Sequence, residues 1–401
     1  MFLADRLQGI GASPTLAITA KAKELKAQGH NILSLGAGEP DFDTPDFIKE
    51  AAKIAIDKGF TKYTAVDGIP ELKRAIQKKL LDENNLSYSL NEIIVSSGAK
   101  QAIFNAFCAT LNHGDEVIIP APYWVSYEAI VEMMVGTSII VACTHAENFK
   151  LTAKALESHI TPKTKWLILN SPSNPTGVVY TKKELEDLAN VLRKYPHVHI
   201  MSDDIYEHVI YAPHRFYSIP MIAPDLKDRT LTINGVSKSF SMTGWRIGYA
   251  AGEKSLIEAM NNIQSQSTSN ACSISQYASL AALTGDNKKF FEETTQTFQE
   301  RRDFVVQALN AIPGITCQNP EGAFYVYPSC AAFIGSTTPD GKRIETDTDF
   351  SAYLLEHALV AVVPGIAFGL SPHFRISYAT DMKTLEDACA RISRACAELN
   401  R

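Results

Sequence analysis

Strand-like and helix-like segments alternate along most of this chain, and that alternation limits its possible folds more than any other feature. Each predicted strand is a short apolar run followed by a turn or by a segment with helical spacing. The predicted strands cover residues 92–98, 115–120, 138–143, 165–171, 197–203 and 230–237. Because strands that alternate with helices are joined by right-handed crossovers, they predict an α/β fold with a mostly parallel sheet covered by helices on both faces.

The two ends of the chain show a different pattern. A charged helix is predicted over residues 20–28, and two longer helices are predicted over 287–310 and 381–399. Short strands are predicted over 323–329, 360–365 and 374–379, and residues 335–349 are typical of a surface loop. We therefore expect a smaller α+β domain built from both termini. The expected division is an N-terminal arm with part of the small domain (1–45), a large domain (46–300) and a small C-terminal domain (301–401).

Length, charge and cysteine usage exclude several classes of protein. A chain of 401 residues with a net charge of −6 and no lysine- or arginine-rich block is not expected to bind nucleic acid. It contains no apolar stretch long enough to span a bilayer, and Asp5 and Arg6 interrupt the start where a signal peptide needs an apolar run, so we expect a cytoplasmic protein. The seven cysteines form no CxxC pair, so neither a disulfide framework nor a metal site is predicted.

Polar side chains follow several of the predicted strands at the point where each strand ends. In open α/β sheets, ligands bind outside these carboxyl ends. The turn SSGAKQ (96–101) opens a helix whose free N–H groups would suit a phosphate, and Ser237 and Arg246 would add further contacts. Taken alone, this segment is equally typical of a plain strand-to-helix turn.

Three further residues suit a heterocyclic ring. Asp203 would hold a protonated pyridine nitrogen and make the ring an electron sink, while Tyr206 and Asn174 would bond to a ring hydroxyl. Trp124 would stack on the ring. Each has an ordinary alternative, because Asp203 could cap a helix, Asn174 could mark a turn and Trp124 could belong to the core.

Lys238 stands between two serines just after the last predicted strand of the series, with Arg246 eight residues later. A lone lysine is usually a solvated surface residue. Beside an arginine and a helix N-terminus, however, its pKa falls and the amine becomes a nucleophile towards aldehydes. An amine nucleophile, a phosphate turn, an acid for a ring nitrogen and a stacking aromatic together indicate pyridoxal 5′-phosphate.

Over nearly its full length the chain resembles the fold-type I, class I aminotransferases, and most closely the bacterial aspartate aminotransferase subgroup that includes aspartate/prephenate aminotransferases. The motifs that carry the resemblance are GAGEPDFDTP (36–45), KYTAVDGIPELK (62–73), SSGAKQAIFNAF (96–107), PAPYWVSY (120–127), NSPSNPTG (170–177), SDDIYEH (202–208), NGVSKSFSMTGWRIGY (234–249), EGAFYVYP (321–328) and FRISYAT (374–380). The resemblance implies a homodimer with shared active sites and a large domain whose seven-stranded sheet is sandwiched by helices.

The resemblance also implies a role for each site residue. Lys238 would form the Schiff base and carry the proton, with Asp203 and Tyr206 as its catalytic partners. The implied cofactor-binding residues are Gly98, Ala99, Lys100, Trp124, Asn174, Asp203, Tyr206, Ser237, Lys238, Arg246 and, from the partner subunit, the residue equivalent to Tyr63. The implied substrate-binding residues are Gly38, Trp124, Asn174, Arg375, Lys100 and Thr15, with Arg375 clamping the α-carboxylate.

For the substrate, the resemblance implies amino transfer between L-aspartate and 2-oxoglutarate. Some relatives bind the second carboxylate with an arginine in the stretch matching residues 265–270, which holds no arginine here, so Lys100 and hydroxyls near Ser13 and Thr15 are expected instead. Gly11 and His30 stand where prephenate-active relatives carry basic residues, which favours aspartate over prephenate.

Other activities remain alternatives. A pyridoxal-phosphate-dependent β-lyase or a cyclopropane-forming synthase would use the same cofactor residues. A lysine-dependent aldolase would explain Lys238 but not the phosphate turn together with Asp203. A non-catalytic sensor on this fold would carry an added DNA-binding domain, for which the motifs leave no room.

Overall fold

A computed structural model of the chain describes residues 2, 4–7, 10, 11 and 14–400. The helices are α1 (Pro14–Ala27), α2 (Asp46–Asp57), α3 (Pro70–Asn84), α4 (Ala99–Thr110), α5 (Ser126–Met133), α6 (Ala153–His159), α7 (Lys182–Lys194), α8 (Ile219–Ile222), α9 (Lys254–Ser267), α10 (Ser273–Thr284), α11 (Lys288–Asn310), α12 (Asp347–His357) and α13 (Met382–Ala397). The strands are β1 (Leu33–Ser34), β2 (Ile93–Ser96), β3 (Glu116–Ala121), β4 (Thr137–Ala142), β5 (Thr164–Asn170), β6 (His199–Asp203), β7 (Thr230–Gly235), β8 (Gly248–Ala251), β9 (Tyr325–Val326), β10 (Val360–Ala361), β11 (Val363–Pro364) and β12 (Phe374–Ser377).

The main sheet has seven strands in the order β2-β8-β7-β6-β5-β3-β4. The pairs β3–β4, β3–β5, β5–β6 and β6–β7 are parallel, whereas β8 runs antiparallel to both of its neighbours. The predicted α/β fold with a mostly parallel sheet is therefore confirmed. The antiparallel strand β8 was not predicted, since its four residues follow the lysine segment with no apolar run long enough to stand out.

Helices cover both faces of this sheet because consecutive strand residues point in opposite directions. In β2, Ile94 packs with the cluster that contains residues of α4, α5 and α9. Its neighbours Ile93 and Val95 pack instead with residues of α2, α3 and α10. At the other end of the sheet, α6, α7 and α8 share the face of α3 and α10. Burial on both faces explains why these strands are continuous apolar runs rather than alternating ones.

Helix α7 shows how local sequence sets an element's start. The Thr181 side chain accepts a hydrogen bond from the Glu184 N–H, and the Glu184 carboxylate accepts one from the Thr181 N–H. This reciprocal arrangement is the capping box, which satisfies N–H groups that an α-helix leaves free in its first turn. The helix carries its buried leucines on one face, against β5 and β6.

Two smaller sheets lie in the C-terminal part of the chain, and one of them also includes a strand from its beginning. Strand β1 pairs in parallel with β10, and a second sheet has the order β11-β12-β9. Aromatic and aliphatic residues of α11, α12 and α13 form one core with these strands, including Phe324, Phe350 and Phe374. The predicted surface loop over 335–349 is wrong at its C-terminal end, where Thr346 caps α12 and the helix begins at Asp347.

Within the part of the chain that the structure describes, no helix is both long enough and apolar enough to cross a membrane.

Candidate active site

The carboxyl ends of β5, β6 and β7 lie side by side at one edge of the main sheet. Asn170 is the register partner of Asp203, and Asp203 that of Ile233. On the far side of β7, the antiparallel strand β8 places Gly248 opposite both Gly235 and Ser96. Residues that follow four different strands are thereby brought to one place, as expected for the ligand edge of an open α/β sheet.

A cavity of about 380 Å³ opens at this edge. Most of the residues predicted from the sequence line it, namely Gly38, Ala99, Lys100, Trp124, Asn174, Asp203, Tyr206, Ser237, Lys238, Arg246 and Arg375. Gly98 lies directly before Ala99 and underneath Arg246. Residues as far apart in the chain as Gly38 and Arg375 therefore line the same cavity.

Three predicted residues do not lie in the described wall of this cavity. Tyr63 is outside it and its side chain is 90% exposed. Ser13 lies outside the described residues, and Thr15 is described only as part of the backbone of α1.

The glycine turn at the start of α4 forms an anion-binding surface. Gly98 has φ +86, and a Cβ there would lie 2.3 Å from Nη2 of Arg246, so only glycine lets the guanidinium lie against the turn. The Gly98 N–H donates to the Ser96 carbonyl at 2.8 Å. Ala99 and Lys100 begin the helix, where N–H groups have no intrahelical acceptor. These two N–H groups and Arg246 point to a bound anion.

Asp203 ends β6 as a buried carboxylate with few partners. Its Oδ2 accepts a hydrogen bond from the Tyr127 hydroxyl at 2.5 Å, and its Oδ1 a long one from the Ile205 N–H at 3.4 Å. Burial raises the pKa of Asp203 to about 6, and the Tyr127 hydrogen bond opposes that rise. No ion pair within 4 Å engages Asp203 among the described residues. A cationic ring nitrogen would supply the partner that this carboxylate lacks.

Lys238 lies in the same cavity with its amine held by backbone. Its Nζ donates to the Gly38 carbonyl at 2.5 Å and lies 5.9 Å from the centre of the Tyr206 ring. Burial lowers the pKa of Lys238 to about 8; Glu39 opposes the shift, and Arg375 and Arg246 add to it. At this pKa roughly a tenth of the amine is neutral at pH 7, far more than for an ordinary lysine, and the neutral form is the one that a nucleophile and a general base both require.

Arg375 is a buried guanidinium that the protein only partly satisfies. Nη1 donates to Oδ1 of Asn174 at 2.9 Å and Nη2 donates to the Gly36 carbonyl at 2.6 Å. Its Nε is buried without a hydrogen-bond partner. The guanidinium lies 4.7 Å from the ring centre of Tyr325, whose hydroxyl is 2.8 Å from that of Tyr206. A planar cation with unused donors suits a carboxylate.

Four residues of the cavity wall with polar side chains were not predicted from the sequence: Glu39, Tyr127, Asn170 and Thr243. Asn170 donates to the Asp203 carbonyl and accepts from the Asn174 N–H, each at 2.9 Å, and so ties two strand ends together. The Thr243 hydroxyl donates to the Glu39 carboxylate at 2.9 Å. The sequence spacing could have identified Tyr127 as a site residue, since it lies three residues after Trp124 and so on the same side of a helical turn.

Charge in the cavity is predominantly positive. The cationic side chains in its wall are Lys100, Lys238, Arg246 and Arg375, against the acidic Glu39 and Asp203. Burial and the nearby Arg246 lower the pKa of Lys100, whose Nζ lies 4.9 Å above the Trp124 ring. Such a wall would attract a ligand carrying a phosphate, carboxylates or both.

Sequence comparison decides between the possible families. The profile of the aminotransferase class I and II family matches residues 30–392. This chain belongs to that family. The aspartate aminotransferase of Rhizobium meliloti is 55% identical over 397 residues, which cover 99% of this chain and 97% of that protein. A Rickettsia felis protein named "probable aspartate/prephenate aminotransferase" is 57% identical over 398 residues, 99% of this chain and 97% of that one.

Solved structures of aminotransferases share the fold throughout. The crystal structure of the R. meliloti aspartate aminotransferase superposes with a TM-score of 0.96 at 55% identity, covering 100% of both chains. The Thermus thermophilus aspartate aminotransferase with maleate superposes with a TM-score of 0.92 at 42% identity, covering 98% of this chain and 100% of that one. The predicted family, fold type and transaminase class are thus confirmed.

Aminotransferases of this family depend on pyridoxal 5′-phosphate, and the cavity fits that group. The glycine turn with Arg246 suits the phosphate, since a side chain at Gly98 would fill the space that the guanidinium occupies. Asp203 is a buried carboxylate that a cationic ring nitrogen could pair with, and Lys238 is an amine whose lowered pKa leaves it partly neutral. Trp124 adds an aromatic wall, so each chemical part of the cofactor has a matching group.

Proposed function

We propose that this aminotransferase transfers the amino group between L-aspartate and 2-oxoglutarate, giving oxaloacetate and L-glutamate. The observation that carries the proposal is the buried, incompletely satisfied guanidinium of Arg375 in a cavity whose wall holds more cationic than acidic side chains. Such a cavity favours substrates with two carboxylates. Relatives at 55% and 57% identity are named for aspartate, and one relative's structure contains maleate, a dicarboxylate.

In this proposal Lys238 is the nucleophile and the proton carrier. Its amine is partly neutral near neutral pH because burial and the neighbouring arginines disfavour the ammonium form. It would take the proton from the substrate α-carbon and deliver it, within the same half-reaction, to the former aldehyde carbon of the cofactor; the other half-reaction would run this transfer in reverse. Bound in this cavity, pyridoxal 5′-phosphate supplies an aldehyde that amines attack and a ring that accepts the electron pair left by the α-proton.

The other predicted residues of the cavity hold and orient the cofactor. We assign Asp203 to the ring nitrogen, Tyr206 and Asn174 to the ring oxygen, and Trp124 to the ring face. We assign phosphate binding to Ser237, Arg246 and the N–H groups at the start of α4. The Tyr206 hydroxyl lies 2.8 Å from the Tyr325 hydroxyl, so binding at the ring oxygen requires that it add or exchange a partner.

For the substrate, Arg375 binds the α-carboxylate and Gly38 contacts it through the backbone. Residues 265–270 contain no arginine, so Lys100 is assigned to the second carboxylate together with the hydroxyl of Thr15. Lys100 lies over Trp124 in the wall, with its ammonium next to the cofactor cavity.

We further propose a homodimer in which Tyr63 reaches the partner's phosphate site. Tyr63 is not among the described residues that line the cavity of its own chain, and it is almost fully exposed. Large exposed apolar side chains lie on α2 and just after it, namely Phe47, Ile54, Ile56 and Phe60. An apolar surface of this kind is typical of an interface. Sedimentation should give twice the mass of the chain. A monomer with full activity would contradict the dimer.

The domain division at residues 45 and 300 and the cytoplasmic location stay predictions from the sequence. Limited proteolysis tests the domain division: cleavage should concentrate near residue 45, which precedes α2, whereas residue 300 lies within the continuous helix α11 and should resist cleavage. Cell fractionation tests the location.

A panel of amino donors against 2-oxoglutarate tests the proposed function. Aspartate should be the best donor, and glutamate should serve in the reverse direction with oxaloacetate. Prephenate belongs in the panel of acceptors because relatives are named for it. Release of pyruvate and ammonia without any oxo-acid acceptor would indicate a β-lyase and contradict the proposal, as would a strong preference for aromatic or prephenate-derived substrates.

A further inference from the structure

Tyr127 is a buried tyrosine of the cavity wall to which neither the predicted roles nor the family resemblance assigned a function. It is the second residue of α5, and its side chain is almost fully buried in the apolar cluster between that helix and the sheet. Its ring meets the Trp124 ring edge to face, with centroids 5.3 Å apart. Its hydroxyl donates to Oδ2 of Asp203 at 2.5 Å.

A buried hydroxyl needs an acceptor, and most buried tyrosines find a neutral one. Here the acceptor is a carboxylate that has no cation within ion-pair distance among the described residues. A hydrogen bond to an ionised acceptor is roughly twice as strong as one between neutral groups. The other oxygen of Asp203 receives only the long bond from the Ile205 N–H, so it is the less engaged of the two.

We propose that Tyr127 is a positioning residue for Asp203: its hydroxyl fixes Oδ2 and helps keep the carboxylate ionised, which leaves Oδ1 for the ring nitrogen of the cofactor. The inference rests on the proposed role of Asp203. Burial raises the pKa of Asp203, and the hydrogen bond from Tyr127 is the largest influence that opposes the rise. Without it, the carboxylate becomes more basic and free to rotate.

The chain offers a matched control four residues earlier. Tyr123 also donates its hydroxyl to a carboxylate, that of Glu128, but it is not part of the cavity wall. Tyr127→Phe and Tyr123→Phe therefore remove the same kind of hydrogen bond, one directed at Asp203 and one not. Both variants are compared with the wild type as full-length protein.

The first measurement is the pyridoxal 5′-phosphate concentration that half-saturates the cofactor-free protein. Tyr127→Phe should raise it roughly tenfold or more, the loss expected for a hydrogen bond to a charged group, and Tyr123→Phe should leave it within about twofold. Equal values for the two variants would overturn the proposal. Failure of the wild type to bind the cofactor at all would overturn the proposed function as well, so the two failures are distinguishable.

The second measurement is the ¹⁵N chemical shift of the ring nitrogen, using labelled cofactor bound to each variant. A more basic carboxylate draws the shared proton towards itself. In Tyr127→Phe the shift should therefore move towards the value of an unprotonated pyridine, while in Tyr123→Phe it stays at the wild-type value. An unchanged shift in Tyr127→Phe would show that Asp203 does not depend on this hydroxyl.

Two further variants separate positioning from packing. In an Asp203→Asn background no charge remains to be held, so adding Tyr127→Phe should change cofactor affinity less than about twofold. A full tenfold loss there would assign Tyr127 to packing alone. If Tyr127→Phe does not fold, 3-fluorotyrosine at position 127 keeps the shape and makes a stronger donor; the nitrogen shift should then move in the protonated direction, and no movement would contradict the proposal.

Discussion

Asp203 and Glu207 lie four residues apart at the end of β6, both are buried, and their surroundings are opposite. Glu207 forms an ion pair with Lys79 and accepts hydrogen bonds from Asn84 at 2.8 Å and Asn234 at 2.6 Å. Although burial would raise its pKa, these partners lower the pKa of Glu207 to about 2. Asp203 has one strong hydrogen bond and no ion pair, and its pKa rises to about 6.

Two arginines show the same contrast. The partly buried Arg229 donates to the carbonyls of Leu192, Tyr195 and Val198 and so satisfies the end of α7. The fully buried Arg375 keeps an Nε that has no hydrogen-bond partner in the part of the chain that the structure describes. A buried charged side chain whose hydrogen-bond and ion-pair partners all come from the protein contributes to the fold. A buried charged side chain that lacks some of these partners costs stability until a ligand supplies them. We therefore read the complete cluster around Glu207 as structural and the incomplete charges at the cavity as functional.

The largest expected effect comes from breaking the complete cluster. Glu207→Gln leaves the buried Lys79 ammonium with only the half-exposed Glu83, 3.5 Å away, as a counter-ion, which should lower the free energy of unfolding by up to about 3–5 kcal/mol. Chemical denaturation of the cofactor-free protein measures this. Glu186→Gln is the control, since Glu186 pairs with Lys182 on the surface at 3.8 Å and such pairs contribute about 0–1 kcal/mol.

The pH dependence sharpens this prediction. Because the folded pKa of Glu207 lies below the ordinary value of 4.5, its stabilisation is complete above pH 4.5 and is lost as the pH falls towards 2. The difference between wild type and Glu207→Gln should shrink across that window. A difference that stays constant, or a variant as stable as Glu186→Gln, would show that the cluster does not stabilise the fold in this way.

Removing a cationic side chain whose hydrogen-bond donors are only partly satisfied should affect activity rather than stability. Arg375→Ala deletes the guanidinium assigned to the α-carboxylate, and kcat/KM should fall roughly 10²–10³-fold for every amino acid, mainly through KM. The visible absorbance of bound cofactor should remain. The control is Arg193→Ala, whose guanidinium pairs with Asp225 on the surface. Loss of cofactor with unchanged KM would contradict the assignment to substrate.

The smallest effect, and the one with the opposite sign, is expected at Asp203. Ionising a carboxylate whose folded pKa is raised from 3.8 to about 6 costs stability, roughly 2–3 kcal/mol when fully buried. Asp203→Asn should therefore stabilise the cofactor-free protein above pH 6. The gain should vanish below about pH 4, where the acid is protonated in both the folded and unfolded states. A destabilised variant at neutral pH would mean that Asp203 has partners beyond those described.

The positions of the strands along the chain and the residues at their ends could be predicted from the sequence because each depends on local pattern. The six long strands of the series lie within two residues of their predicted bounds at both ends. Asp203, Lys238 and Asn174 follow such strands directly, so the parallel topology alone places them at one edge. Arg375, in contrast, was predicted only through family resemblance, since no spacing relates it to the main sheet.

The missed residues depend on contacts that local pattern does not encode. Strand β8 reverses direction after a turn in which Arg246 adopts φ +56, and nothing in four residues signals an antiparallel partner. Glu39 reaches the cavity through a hydrogen bond to Thr243, which is 204 positions away. Tyr127 is a core residue by composition and burial, and only its bond to Asp203 distinguishes it from other buried tyrosines.

We propose that the buried amine of Lys238 is the one that bonds to pyridoxal 5′-phosphate. Borohydride reduction of the holoenzyme, followed by peptide mass spectrometry, identifies the lysine concerned, because reduction makes the link between lysine and cofactor permanent. We expect a phosphopyridoxyl group on Lys238 in the wild type and none in Lys238→Ala. A label on another lysine, such as Lys100, or no label in a protein that still transfers amino groups, would contradict it.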